Sequence, residues 1–203
     1  LSILDLSPSG HQPMLSHDGR YVIVYNGEVY NYIELKDELS GKYNFITRTD
    51  TEVVLAAYQE WGSACLDKFN GMWAFAIYDK KTKEVFCARD RFGIKPFYYQ
   101  YTDNQFLFAS EITPILKISK EKPKAEMQSV FDYLVFNRTD QTEDTFFENI
   151  KKLQHGHCFT INDSGLKIFQ WYSLRDNLKA PFINADELRE YFNSSIQLRL
   201  RSD

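Results

Sequence analysis

Along the chain, apolar runs rich in β-branched and aromatic residues fall at about 20–26, 72–79, 84–89, 96–101, 105–109, 157–162 and 166–171 and predict strands. Polar turn signals separate several of them, at Lys80-Lys81-Thr82, Asp103-Asn104 and Asn162-Asp163-Ser164-Gly165. Helical patterns fall at about 31–40, 51–61, 110–117 and 126–136, and Asn31 with Glu34 three residues on resembles a capping box for the first. Hairpins with intervening helices predict an α+β chain of largely antiparallel sheets covered by helices. Beyond Asn177 the texture changes. Lys179-Ala180-Pro181 reads as a linker, and near Asp186 an amphipathic helix begins with Leu188, Tyr191, Phe192 and Ile196 on one face. That face needs an apolar cover, and Leu1-Ser2-Ile3-Leu4 opens inside an apolar run without an initiating Met. The expectation is a piece of a longer chain.

Composition narrows the partners. The 203 residues, 43% of them hydrophobic, can bury a sizeable core without staples. A formal charge of -4 argues against nucleic acid, whose phosphates are met by clustered Lys and Arg. No apolar run reaches the roughly 18 residues of a membrane span, and no secretory signal opens the sequence, which fits the cytoplasm. The cysteines Cys65, Cys87 and Cys158 are odd in number and widely spaced, and read as buried thiols rather than a disulfide framework or zinc site.

Local chemistry is suggested at two loops. Asn26-Gly27 after Tyr21-Val22-Ile23-Val24 is a strong hairpin signal, since both residues tolerate positive φ. The residues after Glu28 look helical, however, and a strand-to-helix junction would expose the Gly27 N–H and the Asn26 amide, two donors able to stabilise an oxyanion. Thr49-Asp50-Thr51-Glu52 precedes a helical run. Thr49 or Asp50 caps it, and a carboxylate there can also hold a substrate ammonium. Arg89-Asp90-Arg91-Phe92-Gly93 reads as a turn tied by surface ion pairs. His155-Gly156-His157-Cys158 lacks a second ligand cluster, so no metal site is expected. No nucleophile emerges from spacing alone.

Six ordered stretches carry a resemblance: Leu1-Ser2-Ile3-Leu4-Asp5-Leu6, Gly10-His11-Gln12-Pro13, Asn26-Gly27-Glu28-Val29-Tyr30-Asn31, Thr49-Asp50-Thr51-Glu52-Val53, Asn70-Gly71-Met72-Trp73-Ala74-Phe75-Ala76 and Ala88 to Pro96. In that order they resemble the glutaminase domain of the glutamine-hydrolysing asparagine synthetase family, over essentially the whole chain. The resemblance implies a class II glutamine amidotransferase, an N-terminal-nucleophile hydrolase built as a four-layer αββα sandwich of two antiparallel sheets between helices. Residues 1–176 would be this domain without its N-terminal catalytic segment. Residues 177–203 would be a linker and the first helix of the synthetase domain, with Leu198 to Asp203 leading toward the family's ATP loop.

In that family an N-terminal cysteine attacks the glutamine amide with its own α-amine as base, a group titrating at about pH 8. Carried over, Asn26 and Gly27 are the oxyanion hole, Glu28 joins the glutamine-binding stretch, Asp50 holds the α-ammonium, and Leu1, Ser2, Ile3 and Leu4 line the pocket with backbone. The nucleophile does not transfer to Cys65, Cys87 or Cys158, and the arginine that precedes the Leu1 position in the family is missing, so the polypeptide as written is expected to be inactive. Glutamine is the implied partner. No cofactor is implied for this domain, while ATP, Mg²⁺ and aspartate belong to the rest of the protein, and a homodimer is compatible with the family. Two other readings share these residues: an amidotransferase serving another acceptor such as a surface-polysaccharide sugar acid, and a glutamine-sensing module without catalysis.

Overall fold

A computed structural model describes residues 10–102, 105–179 and 181–201. The pocket-lining stretch expected at Leu1, Ser2, Ile3 and Leu4 lies outside them. Among the described residues nine strands form two sheets: β1 (Met14–Leu15), β2 (Tyr21–Val29), β3 (Gly71–Asp79), β4 (Glu84–Arg89), β5 (Tyr98–Thr102), β6 (Gln105–Ala109), β7 (Lys151–Lys152), β8 (His157–Asn162) and β9 (Gly165–Gln170). The larger sheet runs β1-β2-β3-β4-β8-β9 and the smaller β6-β5-β7, with every pairing antiparallel. Six α-helices accompany them: α1 (Tyr32–Leu39), α2 (Asp50–Trp61), α3 (Cys65–Lys68), α4 (Ile112–Ile118), α5 (Met127–Phe136) and α6 (Ala185–Arg199).

Period-two alternation sorts the side chains into two cores. Ile23, Tyr25 and Val29 of β2, Trp73, Phe75 and Ile77 of β3 and Phe86 of β4 face α1, α2 and α3. The alternate residues Ala74, Ala76, Cys87, Phe159 and Ile161 face the smaller sheet, meeting Phe97, Tyr99 and Leu153. Small residues at 74 and 76 let the sheets pack closely, and α4, anchored by the buried Ile115, covers β5 and β6 on the far side. Helix, sheet, sheet and helix make the four layers the resemblance implied.

Three local expectations are corrected. The strand does not end at Asn26-Gly27-Glu28. It pairs with β3 through Gly27↔Trp73 and Glu28↔Met72 to Val29↔Gly71, and the turn toward α1 comes only at Tyr30-Asn31. Glycines at 27 and 71 let the two backbones approach too closely for a Cβ, so Asn-Gly serves close packing rather than a hairpin. The capping box is not formed. Asn31 precedes α1 without a side-chain cap, donating instead to the Lys68 carbonyl at 2.9 Å and accepting from the Asn70 N–H at 2.8 Å, while Glu34 pairs with Arg201 at 2.7 Å.

The third correction concerns the Arg89-Asp90-Arg91 turn, which is tied to backbone rather than by ion pairs. Asp90, 1% exposed, accepts from the N–H groups of Trp73, Phe92, Ile94 and Lys95 at 3.0–3.2 Å. Arg89 donates to the carbonyls of Gly93, Lys95 and Leu153, and Arg91 to those of Leu66, Asp67 and Phe69. Among the described residues neither arginine forms a salt bridge.

The helix expected near Asp186 is α6. Its Asn184 side chain accepts the Glu187 N–H, and Leu188, Tyr191, Phe192 and Ile196 are exposed. Just past its end, Arg201 also donates to the Tyr30 carbonyl at 3.0 Å.

Candidate functional site

Thr49 and Asp50 divide two tasks. The Thr49 hydroxyl accepts the Glu52 N–H at 3.2 Å and caps α2, with Thr49 itself in extended geometry. Glu52 reaches back to the N–H groups of Ile46 and Thr47 at 2.9 and 2.7 Å and to the Thr47 hydroxyl at 2.6 Å, so the approach to the helix is fixed as well. Asp50 is thereby released from capping. Only 5% exposed, it turns its carboxylate onto β2, where Oδ2 accepts the Tyr25 hydroxyl at 2.6 Å and the Val29 N–H at 2.9 Å.

The same strand edge carries Gly27. β1 pairs with β2 only at Ile23 and Val22. Two residues on, the Gln12 side chain takes the place of a strand: its Oε1 accepts the Tyr25 N–H at 2.6 Å and its Nε2 donates to the Tyr25 carbonyl at 2.9 Å. Four residues beyond Tyr25, Asp50 takes the Val29 N–H. Alternate N–H groups of an antiparallel strand point to one side, so the Gly27 N–H, midway between these two, faces the same edge away from β3. One donor is thus bracketed by a side-chain amide and a carboxylate.

Asn26 and Glu28 project from the opposite face of β2, the side toward the smaller sheet. Asn26 Nδ2 donates to the Ser110 hydroxyl at 3.2 Å, in the link between β6 and α4, so the second sheet also touches this strand. The structure therefore brings Asn26, Gly27, Glu28 and Asp50 to one end of β2, with Gly27 in the plane of the sheet and Asp50 on its helical side.

Burial raises the Asp50 carboxyl above the usual carboxylate range, while the hydrogen bonds from Tyr25 and Val29 pull it partway back and the nearby Glu28 charge opposes them. A buried carboxylate so held is an acceptor for a cationic group. The Tyr25 hydroxyl stays protonated, pushed far up by burial first and by Asp50 second. The three cysteines are unpaired and buried. Burial raises all three thiols, Cys158 to about 11, so none is a poised nucleophile.

Tyr25, Gln12 and Ser110 escaped the sequence reading as site residues. Beyond Gln12's place in the Gly10-His11-Gln12-Pro13 stretch and Tyr25's in its strand, no local signal marks them, because each acts across the fold on a partner 13 to 84 positions away. Tyr25's only hint is its place beside Asn26 in a strand whose alternation points it toward α2. Asn137-Arg138-Thr139, which matches a glycosylation sequon, ends α5: Asn137 adopts the left-handed conformation (φ 52°) and caps the helix.

A two-sheet sandwich between helices, with amide donors and a buried carboxylate at one strand end, has the four-layer form that the resemblance implied. The chain belongs to the glutamine amidotransferase domain family, whose model matches residues 1–172. It is 35% identical over 229 residues to a putative asparagine synthetase [glutamine-hydrolyzing] 2 of Methanocaldococcus jannaschii, with 100% of this chain and 43% of that protein covered. It is 36% identical over 208 residues to asparagine synthetase [glutamine-hydrolyzing] 1 of Bacillus subtilis, covering 32% of it. The chain thus spans less than half the length of these curated relatives. Glutamine phosphoribosylpyrophosphate amidotransferase from B. subtilis superposes with a TM-score of 0.56 at 20% identity, over 83% of this chain and 33% of that one, a likeness of fold.

Proposed function

We propose that the protein carrying this chain is a glutamine-hydrolysing asparagine synthetase acting in the cytoplasm. Residues 1–176 are its glutaminase domain and 177–203 open the next one. The observation that carries the reading is the edge of β2, where the Gly27 N–H lies between the Gln12 clamp on Tyr25 and the Asp50 carboxylate on Val29. The names of the relatives and the family membership support it.

On this reading Asp50 holds the α-ammonium of glutamine, and the side-chain carboxamide lies along the strand edge with its carbonyl oxygen toward Gly27 and Asn26. A thiolate attacks the carboxamide carbon and the oxygen takes up negative charge. The Gly27 N–H and the Asn26 amide stabilise it as preorganised donors. The nucleophile's own α-amine takes the thiol proton and returns it to the departing nitrogen, so collapse of the intermediate expels ammonia, and water then cleaves the thioester to glutamate and restores the thiol. Cys65, Cys87 and Cys158 are buried within the cores and do not supply the thiol, a role for which the resemblance implies an N-terminal cysteine. ATP and Mg²⁺, bound by the remainder of the protein, would activate aspartate to receive the ammonia.

The test is glutamine turnover by the full-length protein. Equimolar glutamate and ammonia are expected, with asparagine formed when aspartate, ATP and Mg²⁺ are added, whereas residues 1–203 alone release no ammonia above the uncatalysed control. Failure of the full-length protein to consume glutamine overturns the proposal.

A further inference from the structure

Tyr25 has a place in the site beyond its packing. It is 7% exposed, and its hydroxyl makes the shorter of the two hydrogen bonds that Asp50 Oδ2 accepts from β2. The other donor is the Val29 N–H, four residues further along the same strand. The Tyr25 backbone is in turn clamped on both its N–H and its carbonyl by the Gln12 side chain, so the backbone that carries the phenol is held in place. A carboxylate torsion is broad and two-fold when nothing pins it. Here two donors on one oxygen, Oδ2, pin it.

We propose that Tyr25 is a positioning residue for substrate discrimination: it orients Asp50 so that Oδ1 meets an α-ammonium, and thereby selects amides that carry an α-amino group. This rests on the reading of Asp50 as the ammonium-binding carboxylate. The gain comes from preorganisation, since a carboxylate already turned toward the ligand loses little freedom on binding. The effect belongs in KM rather than kcat, because the α-ammonium is remote from the carbonyl under attack and its contact is alike in ground and transition states.

The experiment compares glutamine with glutaramate, the same amide without the α-amino group, in the full-length protein. Tyr25→Phe is expected to lower kcat/KM for glutamine about tenfold, the worth of one hydrogen bond to a charged group, almost all of it through KM. Glutaramate turnover stays within about twofold, so the preference for glutamine falls by nearly the same factor. Asp50→Asn is expected to remove most of that preference. An equal fall for both substrates in Tyr25→Phe, or an unchanged preference, overturns the positioning role while leaving Asp50 in place. A preference that survives Asp50→Asn overturns the reading of Asp50 and this inference together. If Tyr25→Phe does not fold, Gln12→Met loosens the clamp without touching Asp50. A smaller fall in the same preference supports the proposal, and an unchanged preference overturns it.

Discussion

A methyl group on residue 27 would stand 2.3 Å from the Met72 carbonyl oxygen and 2.6 Å from Trp73 Cα, both backbone atoms of β3. Gly71 faces the reciprocal constraint, since a Cβ there would lie 2.1 Å from the Glu28 carbonyl oxygen. Backbone cannot give way as a flexible side chain does, so Gly27→Ala should push β2 off β3. The expected cost is about 1–3 kcal/mol, in the range of core overpacking, read as a lowered Tm. Catalytic loss should exceed what the lost stability explains, because the displaced residue carries the N–H assigned to the oxyanion. Asn-Gly was visible in the sequence as a place where something is required of the backbone. Which requirement it meets was not, since a turn and a close strand approach both call for glycine, and only the β3 partner separates them.

Among the elements, the link from β4 toward β5 shows a similar division. The run Arg89-Asp90-Arg91-Phe92-Gly93 is a turn, as its composition indicates, but its charges are spent on backbone. Asp90 collects four N–H donors, one of them on β3, and so fastens the turn to the central strand. Replacing it by Asn would put an NH₂ against at least one of those donors. The expected destabilisation is about 2–4 kcal/mol, typical of a buried charge-assisted network that loses its acceptor, and is read from the denaturation midpoint. Alternating charge signs suggest ion pairs because sequence displays charges and hides which backbone groups a turn folds against them. By contrast the Asn162 to Gly165 turn was legible, since both its devices are local: Asn162 Oδ1 accepts the Ser164 N–H at 2.8 Å, and Gly165 takes φ 104°.

For the molecule as a whole, acid stability depends on a few carboxylates set in opposite senses. Arg20, on the approach to β2, makes two hydrogen bonds to Asp79 at the end of β3, at 2.9 and 2.6 Å, and holds its carboxyl well below the usual carboxylate range. A group whose folded value is depressed adds stability above its unfolded value, near 4, and loses it as pH falls toward the folded value. Asp79→Asn should therefore be less stable than the parent at pH 7, with the difference shrinking below pH about 4, measured by denaturation at several pH values. Asp50 works the other way. Its raised value means that ionisation costs stability as pH rises, a cost that a bound ammonium would offset.

Read by itself, the sequence determined the longer elements and their kind, though not the short β1, α3 and β7, the antiparallel character of the sheets, a helix over about 51–61 and the family to which the chain belongs. These follow from periodicity, turn chemistry and motif order, all carried by residues close together along the chain. The tertiary structure alone decided that β2 runs on past Gly27, that Gln12 stands in for a missing strand partner at Tyr25, and that Tyr25 and Val29 both turn to one oxygen of Asp50. Those contacts join residues well apart along the chain, the side-chain ones 13 to 25 positions, and no period of 2 or 3.6 residues encodes which donor at a strand edge is taken.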